Sequence, residues 1–79
     1  MNLLENLDNV QKLALFEQAK EALVSELIPS LLRVGINPST FDVNNATVVL
    51  ETVEPTDQTR LMKLSEGLVI AQEAISSLS

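Results

Sequence analysis

The stretch FDVNNATVVLETV, residues 41–53, decides how this 79-residue chain is read, because segments with helical spacing flank it on both sides. Its own pattern alternates. Asn tolerates positive φ better than most residues, so Asn44-Asn45 reads as a two-residue hairpin turn. That register sets Val43 opposite Ala46 and Phe41 opposite Val48. Phe41, Val43, Ala46, Val48 and Leu50 then share one face, and Thr40, Asp42, Thr47, Val49 and Glu51 the other. The expectation is a short antiparallel β-hairpin over about 40–53. Continuing the register sets Glu51 against Pro38, which has no N–H to give, so Leu50 to Val53 would run on as a free edge open to another chain.

After the hairpin, Pro55 suits the first turn of a helix, Thr56 or Asp57 can cap it, and an apolar seam follows over about 56–78. Leu61, Leu64, Leu68, Ala71, Ile75 and Leu78 recur at alternating spacings of three and four, the 3.5-residue period of a narrow packing stripe. This seam is either the chain's own core or a face shared with a second chain; the spacing is the same in both cases. Gly67 costs about 1 kcal/mol relative to Ala in mid-helix, which suggests a close crossing by another segment. Met62, Val69 and Ile70 lie outside the seam.

Before the hairpin, Asp8 and Gln11 have the spacing of a capping box, and Leu13, Phe16, Leu23, Leu27 and Leu31 follow at helical spacing, interrupted by Lys20. A first helix is expected over about 9–34. Leu3, Leu7, Val10 and Ala14 lie on another face, either as an extra turn continuous with the helix, which is the favoured reading, or as a separate short segment that folds back. Pro29 removes one backbone hydrogen bond and crowds the carbonyl of Ser25, which predicts a kink or restart near Ile28. Gly35 fits the left-handed position just past the helix, with Ile36 returning toward Leu31.

These elements make one α+β domain over 1–79, in helix–hairpin–helix order. A domain this small buries only about 60–65% of the surface its unfolded chain exposes, so its core is marginal unless reinforced. The chain has no Cys for a disulfide and no His for a metal, while 46% of it is hydrophobic. A second subunit is the remaining common reinforcement. The expected partner is another copy, with a dimer as the favoured form, and the candidate interaction residues are the six seam positions together with Leu50 and Val53.

The net charge of −6 comes from eleven acids against five dispersed bases, Lys12, Lys20, Arg33, Arg60 and Lys63, so direct nucleic-acid binding is not expected. No apolar run approaches the roughly 20 residues that span a bilayer, and no signal-like segment opens the chain; the expectation is a cytoplasmic protein without membrane attachment. Without His, Cys or Tyr, few catalytic combinations exist, and two glycines cannot build a phosphate cradle. Glu51, Glu54 and Asp57 bunch near the second helix, where acids compensate the dipole; they lack calcium-loop spacing. No cofactor is expected.

The function these observations favour is a non-enzymatic interaction or assembly module that acts through apolar helix faces. A second class is an acidic inhibitor or nucleic-acid mimic, which would need carboxylates in ordered rows on one face. At the level of topology, helix–hairpin–helix is similar to the small head–tail joining protein of lambdoid phages, and that resemblance implies a virion assembly role.

Overall fold

The computed structural model describes residues 3–79 and, among them, contains helices and turns but no strand. Two long helices dominate, α1 (Asn9–Arg33) and α3 (Pro55–Leu78). Between them lies a helical connector: a 3-10 turn at Val43–Asn45, a single α-helical turn α2 (Ala46–Val49), and a second 3-10 turn at Leu50–Thr52. The fold is therefore all-α. The α+β class and the hairpin over 40–53 are incorrect, and the topological resemblance to the phage joining protein falls with them.

The connector is helical because its residues satisfy two periods, and burial selects between them. Read at spacings of three and four, Val43, Ala46, Leu50 and Val53 fall on one side, and in the structure Ala46 and Leu50 are buried while Val43 and Val53 are half-buried. Val48 distinguishes the two patterns: inward in a hairpin, it is 62% exposed here. A lone two-stranded ribbon is marginal in water, whereas a helical turn can lower Ala46 and Leu50 between two helices. The local chemistry agrees. The Asp42 carboxylate accepts from the Asn44 N–H at 3.0 Å, and the Asn45 N–H donates to the Asp42 carbonyl at 3.0 Å, so Asp42 caps a helical turn. Asn45 has φ −121°, and among the described residues Gly35 alone has positive φ, so the hairpin turn has no backbone to support it.

α1 starts where its cap dictates. Asp8 accepts from the Gln11 N–H at 2.8 Å, and the Gln11 side chain accepts from the Asp8 N–H at 3.1 Å, which closes a full capping box. With Asp8 in the extended region, residues 3–6 form a separate turn, and the expected continuity of Leu3 and Leu7 with the helix does not hold. At the other end Gly35 takes φ 81°, its N–H donates to Leu32, and the Ile36 N–H donates to the Leu31 carbonyl at 2.9 Å: a Schellman motif.

Pro29 does not restart the helix; α1 continues through it to Arg33. Pro29 and Ser25 both lie on the exposed side, where water can take the carbonyl that loses its donor. α3 opens on Pro55 with Glu54 in the capping position and no side-chain cap, so neither Thr56 nor Asp57 caps it.

α1 and α3 run antiparallel, as two points along them show. Arg33 and Asp57 approach to 3.9 Å at the connector end, and Leu23 packs where a side chain on Gly67 would be, 3.2 Å from its Cβ position. The core gathers Leu27 and Leu31 from α1, Ala46 and Leu50 from the connector, and Leu61, Leu64 and Leu68 from α3. Ser30 and Ser65 are buried beside it and return their hydroxyls to the carbonyls of Glu26 and Leu61, at 2.9 and 2.8 Å. No helix among the described residues is long and apolar enough to cross a membrane.

Candidate functional site

The candidate interaction residues divide between the interior and one open end. Leu61, Leu64, Leu68 and Ala71 of the seam are buried, and Leu50 is fully enclosed at 0% exposure. Leu50 cannot belong to a free strand edge. It is the plug between the helices, and Val53, half-buried beside it, donates its N–H to the Leu50 carbonyl at 3.1 Å. The remaining seam positions, Ile75 and Leu78, are half-buried and lie outside the core cluster.

The reason is geometric. The connector rises from one end of the two-helix layer and covers that end alone, while α1 and α3 at roughly 1.5 Å per residue each extend beyond 30 Å. No side chain in residues 9–22 is buried, and none in 72–79. Leu13 and Phe16 of α1 therefore stand half-buried at the same open end as Ile75 and Leu78 of α3. Periodicity identified all four as apolar stripe positions, but their incomplete cover depends on where the connector lies.

A groove of about 520 Å³ marks this open end, with Glu17, Lys20, Glu21, Val24 and Ser25 of α1 on one wall and Ile75 of α3 on the other. Lys20, which breaks the apolar stripe of α1, lies half-buried in that wall. A long side chain can lay its methylene stem on apolar surface and keep its ammonium in water. A second groove, of about 390 Å³, runs between the connector and the outer flank of α3, lined by Val43, Ala46, Thr47, Met62, Val69 and Ile70 among others. Ile70 is 63% exposed there.

The acids do not form rows. Glu17 and Glu21 are one turn apart with Lys20 beside them, and Glu51 and Glu54 flank the connector exit, where Asp57 faces Arg33. Among the described residues no group of three or more acids could hold a metal ion. Compared with protein-family models, with curated proteins and with solved structures, the chain matches none.

Proposed function

We propose that this chain is a small non-enzymatic interaction module that works by packing its apolar helix faces against another protein surface, with self-association as its first use. One observation carries the proposal. A two-helix layer with a connector at one end leaves Leu13, Phe16, Ile75 and Leu78 incompletely covered at the other, where apolar side chains keep a cost that a partner would relieve. The composition supports it: no His, Cys or Tyr is present to carry acid–base or nucleophilic chemistry.

Binding that favours the folded form makes stability depend on concentration. The thermal midpoint of the purified chain should therefore rise with protein concentration through the micromolar range, and the molar mass by light scattering should exceed 8.6 kDa. A midpoint independent of concentration, with the mass fixed at that of one chain, overturns self-association.

A further inference from the structure

We infer that the open end of the α1–α3 pair is the dimer face, and that its occupant is a second copy of this chain packed open end to open end into a four-helix arrangement. This rests on the self-association proposed above and assigns it a place.

Area is the first argument. A folded monomer of this mass typically exposes about 4,700 Å², and this chain exposes 5580 Å². The surplus, about 900 Å², is close to the roughly 800 Å² that each partner contributes to a standard stable interface. Shape agrees with area. The radius of gyration is 14.1 Å against about 12 Å for a compact chain of this length, and the molecule measures 42 × 26 × 18 Å. The long dimension follows two helices whose distal half has no third layer.

Charge is the second argument. Net charge is shared evenly between the two ends: the residues before 23 and after 70 hold Glu5, Asp8, Glu17, Glu21 and Glu73 against Lys12 and Lys20, a net −3, and residues 23–70 carry the other −3. Within the open-end groove Lys20 stands between Glu17 and Glu21 and offers each copy both signs, whereas the groove beside Ile70 has Glu66 and no base.

The test compares the two faces by light scattering, with far-UV circular dichroism to follow helix content. The parent should have twice the 8.6 kDa chain mass. Phe16→Asp and Ile75→Asp should each reduce it to one chain mass while keeping the helical signal, and Ile70→Asp should leave the dimer intact. If an aspartate variant loses its helix, Phe16→Ala provides the decision, because trimming one anchor should weaken dimerisation about tenfold or more without placing a charge. A parent that dimerises but dissociates with Ile70→Asp, and not with the open-end variants, overturns this face and leaves self-association standing. A parent of one chain mass overturns both.

Discussion

The two ends of the helical pair are built from the same residue types and reach different outcomes. At the connector end, three elements converge, and Leu27, Leu31, Leu50, Leu61 and Leu68 are each no more than 4% exposed. At the other end, Leu13, Phe16, Ile75 and Leu78 follow the same spacing along two helices alone, and none is buried. Two cylinders in contact share only a narrow strip, so an apolar stripe a third of a turn wide needs a further layer to close over it. The difference between the ends lies in the neighbour that the chain supplies at one of them.

Substitutions in the seam and the connector probe that contrast, and the largest effect should come from Leu68→Asp. Leu68 sits in the three-element core, so an unpaired carboxylate there should abolish the cooperative thermal transition. Leu68→Ala should cost about 2–5 kcal/mol, while Gln72→Ala, one turn further on and exposed, should shift stability by under about 0.5 kcal/mol. A Leu68→Asp variant that melts like the parent would show that α3 does not use this face.

Within the connector, Leu50→Ala should also cost about 2–5 kcal/mol, because its side chain is wholly enclosed, and Val48→Ala should cost less than about 0.5 kcal/mol. The two residues share a face in a hairpin and part in a helix. Equal losses in urea melts would restore the strand register.

A smaller effect is expected at the start of α1. Asp8→Ala removes the carboxylate half of the capping box and should cost about 0.5–2 kcal/mol. The loss should approach the lower limit if the open end frays in the isolated chain, and hydrogen exchange of the amides at 11–14 would report it. Protection there that matches the core helices, and is unchanged in the variant, would mean that something other than the cap holds this end.

Gly67→Ala should have the smallest effect of the series. Its helix-propensity gain of about 1 kcal/mol is opposed by Leu23, 3.2 Å from the new methyl group, so the thermal midpoint should move little. A large loss would mean that Leu23 cannot yield and that the helices are locked at this crossing.

Much of this architecture was legible because it is local. A capping box needs only Asp8 and Gln11 at the right separation, and the Schellman ending needs only a glycine after the last turn, so the limits of α1 follow from the residues that form them. The seam of α3 was equally legible, since an apolar residue every 3.5 positions specifies a packing face whatever covers it. Residues 41–53 were not. Their apolar positions fit period two through Phe41, Val43, Val48 and Leu50, and a helical period through Val43, Ala46, Leu50 and Val53; over so short a stretch, no local preference separates the two. The tertiary structure decided it, because a helical turn packed on α3 puts Ala46 and Leu50 into the core shared with α1 and leaves Val48 in solvent. It decided equally which half of the seam is core and which is open, since burial depends on a third element's position, and spacing along a helix carries no information about what lies opposite.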